Sequence, residues 1–385
     1  MAKPTELIHH PYVPPAGFVA PQVGVHKAST VIFPNVAAMR ARDWRHKSGY
    51  TYGLHGTPTT FTLEERIATL EGGRQCLLCP SGLAAIALVD LALLESGDEV
   101  LIPDNAYGPG KELARNELAR FGIVHRFYDA MDAAALASTI GPATKLVWVE
   151  APGSVTLEFP DVRALLAACH ERGVTSALDN TWGAGLAFDG FEVGADIVMQ
   201  ALTKYPSGGG DVLMGSVVTR DEALHQRLKL AHMRLGLGVG ANDAEALLRS
   251  LPSLALRYAA QDAAGRTLAE WLRRRPEIAA VRHPALAGSP GHDHWAATCR
   301  AAAGLFSVLF DERIPSAQVD RFVDALKLFR IGYSWGGPVS LVVPYQLAHM
   351  RSVTAPPPGT LVRFAVGLEA VDDLIGDLER ALREL

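Results

Sequence analysis

The sequence predicts an α/β protein, a mainly parallel sheet with helices on both faces, followed by a smaller α+β region. Three observations carry that expectation. Short strands alternate with helical stretches from about residue 62 to 218. Many of those strands are continuously apolar, as in a sheet covered on both faces. From about residue 252 the alternation gives way to amphipathic helices around a few isolated strands.

Taken in order, Cys76-Leu77-Leu78-Cys79 reads as a strand and Gly82 to Leu94 as a helix. Glu99 to Ile102 is a strand, Gly110 to Phe121 a helix, Ile123 to Phe127 a strand, and 132–139 a short helix. Lys145 to Val149, Thr175 to Leu178, Asp196 to Ala201 and Val212 to Val218 are further strands, with a helix over Asp161 to Arg172. Residues 221–250 read as helical, and Pro252 marks a boundary. Beyond it come strands at Leu305 to Phe310 and Leu361 to Val366, and a last helix from Val371 to Leu385. The first sixty residues, including His9-His10-Pro11-Tyr12-Val13-Pro14-Pro15, show no sustained period and read as an extended arm that packs on a neighbour or on the body. The expected division is therefore an arm over 1–61, an α/β domain over 62–251 and an α+β domain over 252–385.

Bulk composition narrows the function. With 49% hydrophobic and 20% charged residues, a chain of 385 can bury a large core and is not globally disordered. A mixed net charge of −5 without a basic face argues against nucleic acid or an anionic membrane as partner. Four cysteines do not make a disulfide scaffold. The longest apolar stretch, Leu83 to Leu94, is too short to span a bilayer, and no secretory core opens the chain. The expectation is a soluble, cytoplasmic protein.

Three features fall on one edge of the expected sheet. Asp179 follows the strand Thr175 to Leu178. Lys204 lies just past the strand ending at Ala201. Ser81-Gly82-Leu83 opens a helix after Cys76 to Pro80. In parallel sheets ligands bind beyond the carboxyl ends of the strands. Singly, each has a plainer reading, as a helix cap or a solvated charge. Together they are what pyridoxal 5'-phosphate requires. An amine forms a Schiff base with its aldehyde, a carboxylate keeps its ring nitrogen protonated, and N–H groups at a helix start hold its phosphate.

The words themselves add a resemblance. Asp179-Asn180-Thr181-Trp182, Thr203-Lys204-Tyr205, Tyr333-Ser334-Trp335-Gly336-Gly337 and Gly359-Thr360-Leu361-Val362-Arg363, followed by Gly367-Leu368-Glu369, resemble the Cys/Met-metabolism family of pyridoxal phosphate enzymes. Within it the chain is most similar to the bacterial cystathionine β-lyase branch. The likeness runs from about residue 50 to the C-terminus. It implies the aspartate aminotransferase-like fold type I of pyridoxal phosphate enzymes and a homo-oligomer, a dimer or a tetramer built as a dimer of dimers, with shared active sites. It makes Lys204 the Schiff-base lysine and Asp179 the ring-nitrogen partner. Ser81, Gly82, Leu83 and Thr203 would hold phosphate. Tyr107 would stack on the ring and serve catalysis with Lys204. Arg363 would grip the substrate carboxylate, with Ser334 and Trp335 beside it. Tyr52 would reach the neighbouring subunit's phosphate. The loop Glu150-Ala151-Pro152-Gly153-Ser154 carries the Pro-Gly-Ser of the β-lyases rather than the Pro-Ser-Asn-Pro of γ-acting relatives. Two positions depart from the family pattern: Leu54 stands where an Arg is usual, and Gly209 where a His is usual.

The activity so implied is β-elimination of L-cystathionine to homocysteine, pyruvate and ammonia, a step of methionine biosynthesis. Lys204 would act as general base on the α-proton. The nearest alternatives are a β-lyase of cysteine S-conjugates or of cysteine itself, and a γ-acting relative. From another class comes a regulatory binder that keeps the fold, which the intact Lys204, Asp179 and Arg363 disfavour. A nucleotide dehydrogenase is disfavoured because Gly236-Leu237-Gly238-Val239-Gly240 does not follow a strand and reads as a helix break. No metal is expected. Cys76 and Cys79, three apart on a strand, should point to opposite faces, and His292-Asp293-His294 reads as a solvated loop.

Overall fold

The computed structural model describes residues 3–9, 12–13 and 15–385. His10, Pro11 and Pro14 of the proline-rich run lie outside the described residues. The helices in order are α1 (Lys3–Ile8), α2 (Val36–Arg40), α3 (Pro58–Glu71), α4 (Gly82–Leu93), α5 (Gly108–Leu113), α6 (Ala133–Thr139), α7 (Val162–Glu171), α8 (Glu222–Leu235), α9 (Ala241–Ser250), α10 (Leu254–Leu272), α11 (His292–Thr298), α12 (Ser316–Ala325) and α13 (Val371–Ala381).

The first sheet has seven strands: β1 (Gln75–Cys79), β2 (Glu99–Pro103), β3 (Val124–Tyr128), β4 (Thr144–Glu150), β5 (Thr175–Asp179), β6 (Ile197–Gln200) and β7 (Gly215–Thr219). Their order is β1-β7-β6-β5-β4-β2-β3. Every pairing from β6 to β3 is parallel, and only β7 runs against its neighbours β1 and β6. The expected mainly parallel sheet is what forms. Cys76 packs into the core on one face and Cys79 into the core on the other, both buried and unpaired with any other cysteine. That is the two-residue alternation of a strand.

The second sheet contains β8 (Ile278–Arg282), β9 (Leu305–Phe310), β10 (Arg330–Ile331), β11 (Leu341–Tyr345) and β12 (Leu361–Ala365), in the order β10-β11-β12-β9-β8. Its core is rich in phenylalanine: Phe306, Phe310, Phe322, Phe329 and Phe364 are all buried. Helix α10 links the two layers. Leu254 and Tyr258 at its start pack with the first core, and Ala264, Leu268 and Leu272 pack with the second.

Several elements differ from the sequence expectation. The arm is not wholly extended, since α1 and α2 form within it, and Asn35 caps α2 by accepting from the Ala38 N–H. The helix expected over Gly110 to Phe121 begins at Gly108 and widens into a π-helical turn at Ala114–Leu118. The strand expected from Val212 begins only at Gly215, where pairing with β1 starts; residues 202–207 form the turns that carry Lys204, and 211–214 are irregular. His292-Asp293-His294 opens α11 instead of lying in a loop, with the His292 ring bonded to the Pro284 carbonyl. The glycine-rich stretch after residue 235 does break the helix, with Gly236 in a left-handed cap. Among the described residues no helix is long and apolar enough to cross a membrane.

Candidate active site

A cleft of about 530 Å³ opens where the carboxyl ends of β2, β4, β5 and β6 face the second sheet. Helix α4 starts at its floor. Ser81 is extended (φ −162°) and its hydroxyl accepts from the Ala84 N–H. That leaves the Gly82 and Leu83 N–H groups, which have no intrahelical acceptor, facing the cleft. A Cβ on Gly82 would lie 2.7 Å from that of Ala201, so only glycine lets the helix start seat against the turn after β6.

Asp179 ends β5 and sits in register beside Glu150, the last residue of β4. The Asp179 Oδ1 accepts from the Thr181 N–H (2.9 Å) and hydroxyl (2.5 Å). Burial pushes its carboxyl up, against the pull of Thr181 and Lys204. Glu150 is pushed up more strongly, by burial and then by Asp179, while accepting from the Tyr107 N–H at 2.7 Å. Sequence reading treats Glu150 only as the start of a loop. Its place beside Asp179 depends on strand order, which no local signal carries.

Lys204 follows β6 by four residues, and its Nζ donates to the Ser334 Oγ at 2.8 Å. Burial, then Arg363, lower its amine to about 8, with Asp179 opposing. Ser334 holds φ +93°, an uncommon conformation for a residue with a side chain. Gly336 (φ +81°) comes so close that a Cβ would sit 2.7 Å from the Tyr205 N. Trp335 stacks edge-on against Tyr205, with the Lys204 amine 5.5 Å from its ring centre.

Arg363, in β12, is buried, and its guanidinium donates to the Ser334 carbonyl at 3.4 Å and lies 5.4 Å from the Tyr345 ring centre. Among the described residues no carboxylate comes within ion-pair distance of it. A buried cation left in this state calls for an anionic ligand. Tyr107 precedes α5 at the mouth, its hydroxyl kept protonated by burial and by Asp179 and Glu150.

Ten of the eleven expected site residues thus line this one cleft. The Thr203 hydroxyl, expected on phosphate, is engaged by the backbone of Met214, accepting from its N–H (3.0 Å) and donating to its carbonyl (3.2 Å). The eleventh, Tyr52, lies outside the cleft and 47% exposed, before a turn that packs on Ala28 and Ser29. Leu54 is turned onto its own chain over Gly238, and the His55 ring bonds Thr51. Gly209 lies in the turn before β7, beside Asp211 and away from the cleft.

The groups present fit pyridoxal phosphate: an amine of lowered basicity, a half-buried carboxylate that forms no ion pair among the described residues, and a helix that starts on a glycine. Among the described residues no cluster of three metal-ligating side chains occurs.

Comparison with known proteins gives a consistent picture. The sequence profile of the family described as "Cys/Met metabolism PLP-dependent enzyme" matches residues 4–383. A putative cystathionine beta-lyase of Rhizobium johnstonii is 40% identical over 367 residues, covering 94% of this chain and 91% of that protein. Cystathionine beta-lyase MetC of Escherichia coli is 35% identical, covering 92% and 91%. An L-alanine/L-glutamate racemase of Wolbachia pipientis is 33% identical, covering 87% and 83%. The crystal structure of metB from Corynebacterium glutamicum superposes with a TM-score of 0.88 at 28% identity, over 98% of this chain and 97% of that one.

Proposed function

The chain belongs to the Cys/Met-metabolism PLP-dependent enzymes, and on that premise we propose that it cleaves the Cβ–S bond of L-cystathionine. The products are homocysteine, pyruvate and ammonia, with one water consumed. The observation that carries this reading is the meeting of Lys204, Asp179, the α4 start and a buried Arg363, which has no carboxylate partner among the described residues, in one cleft.

Lys204 would hold the cofactor aldehyde, Asp179 its ring nitrogen, the Gly82 and Leu83 N–H groups its phosphate, and Tyr107 a face of its ring. When bound, the cofactor supplies an electron sink for the charge left when a substrate Cα loses its proton. Arg363 orients the substrate through its carboxylate. Lys204, once its amine is free and neutral, takes the Cα proton at Nζ and returns it to the departing sulfur. The Ser334 hydroxyl fixes the position of that amine. The Pro152-Gly153-Ser154 loop lines the cleft, and its resemblance to the β-lyase pattern supports β- over γ-elimination. The racemase relative makes proton exchange at Cα the second reading. Assaying L-cystathionine, L-cystine, L-cysteine and L-alanine side by side separates the two, and the highest kcat/KM is expected for L-cystathionine.

Arg363→Lys keeps the charge but loses the two-pronged grip. A charge-assisted hydrogen bond is worth about 1.5–3 kcal/mol, so kcat/KM should fall by roughly ten- to a hundredfold. An unchanged kcat/KM would move the carboxylate site elsewhere.

The same reading makes the assembly a dimer or larger, with Tyr52 reaching the neighbouring subunit's phosphate. Its exposure outside its own cleft supports this, as do Phe18 and Ile32, each 91% exposed on the arm. Tyr52→Phe should then lose cofactor faster on dialysis. Light scattering should report at least two chains, and a fully active monomer would overturn the shared site.

A further inference from the structure

Asp104 follows β2 directly and is 1% exposed. Its carboxylate gathers donors from a loop 248 to 250 residues away, the one joining β11 to β12. Oδ1 accepts from the Ser352 N–H (2.9 Å) and hydroxyl (2.9 Å), and from the Lys111 Nζ (3.2 Å). Oδ2 accepts from the N–H groups of Val353 (2.8 Å) and Thr354 (3.2 Å). Lys111 also donates to the Met350 carbonyl at 3.0 Å, so one cation ties both sides. Arg351 adds a bond to the Asp104 carbonyl (3.2 Å) and a contact to Thr156. Burial pushes the Asp104 carboxyl up, but the three N–H groups and the Ser352 hydroxyl together outweigh it and bring it to about 2, so it stays ionised.

What this clasp holds is Met350. That side chain packs on Val155, Leu309, Leu347 and Leu361 and forms part of the cleft wall. It also borders a second cavity of about 550 Å³, which shares Leu83, Gly108 and Pro109 with the cleft. Releasing the loop would join the two spaces.

We propose that Asp104 is a positioning residue whose carboxylate clasps the 350–354 segment to the end of β2 and so keeps Met350 as a wall of the substrate cleft. The proposal rests on reading that cleft as the active site. Tightness of substrate binding then depends on a contact that touches neither substrate nor cofactor. An amide at 104 leaves one acceptor oxygen for five donors and turns an NH₂ against N–H groups.

Two variants break the clasp from opposite sides. Asp104→Asn changes the acceptor. Val353→Pro removes a donor at a half-exposed site, leaving residues 104–111 untouched. Met350→Ala removes the wall alone. Each holoenzyme is treated with trypsin and its kinetics on L-cystathionine are measured. The Arg351 side chain is 5% exposed, so the parent should resist cleavage after it. Both clasp variants should be cut there, with KM raised roughly tenfold and kcat little changed. Met350→Ala should raise KM while Arg351 stays protected. The proposal is overturned if Arg351 stays protected in both clasp variants, or is cut in both with KM unmoved. The trypsin result reads the clasp whatever the substrate, so a failed β-lyase reading shows separately, as inactivity of the parent.

Discussion

Lys204→Ala should give a folded, colourless protein whose turnover is lower by about four orders of magnitude or more. One substitution removes both the covalent anchor of the cofactor and the base at Cα, and each alone is worth about 10² to 10⁴. Borohydride should fix a pyridoxyl group on the Lys204 peptide of the parent and none on the variant. A variant that still traps a full equivalent would place the anchor on another amine. The lowered amine makes a second forecast with a definite sign. Only the neutral amine attacks an aldehyde, and here it becomes neutral above about pH 8, well below the ordinary ~10.4. Uptake of pyridoxal phosphate by the cofactor-free chain should therefore quicken with rising pH and level off past pH 8. A rate still climbing at pH 10 would mean that neither burial nor Arg363 lowers this lysine.

Asp179→Asn should lose activity by about a hundredfold or more while folding at least as well as the parent. An amide cannot hold the ring nitrogen protonated, and removing one preorganised charge from a site costs about 10²–10³ in turnover. The fold should tolerate it, since the Asn oxygen can still accept from Thr181. Burial makes an ionised Asp179 unfavourable in the cofactor-free chain, against the pull of Thr181 and Lys204. A carboxyl with a raised folded pKa destabilises the fold as pH rises above its unfolded value, and in full once pH passes the folded one, whereas the amide carries no such penalty. Above neutral pH the cofactor-free variant should thus melt at or above the parent's Tm. Near-normal turnover in a cofactor-loaded variant would end the assigned role.

Much of this site is legible in the sequence because its parts are local. Ser81 announces a helix start, Asp179 stands at a strand end, and Lys204 follows the next strand, so each can be placed from neighbours within ten residues. What escapes is set by pairing between distant segments. Glu150 faces Asp179 only because β4 and β5 are adjacent in the sheet. Ser334 reaches Lys204 across 130 residues through a left-handed backbone that Gly336 makes room for. Leu54 reads as a missing phosphate contact, yet its side chain covers Gly238 of its own chain. The Thr203 hydroxyl likewise meets Met214, a contact made across the turns that precede β7. Asp104 carries no signal of its clasp, because four of its five donors lie in a loop some 250 residues further on.

The central claim is a β-elimination, and the carbon skeletons released from L-cystathionine test it most directly. Mass spectrometry of the products should find pyruvate and homocysteine in equal amounts, with one ammonia for each. Cysteine with 2-oxobutanoate would mark γ-elimination, and D-amino acid without any free thiol would mark a racemase; either result would contradict the account.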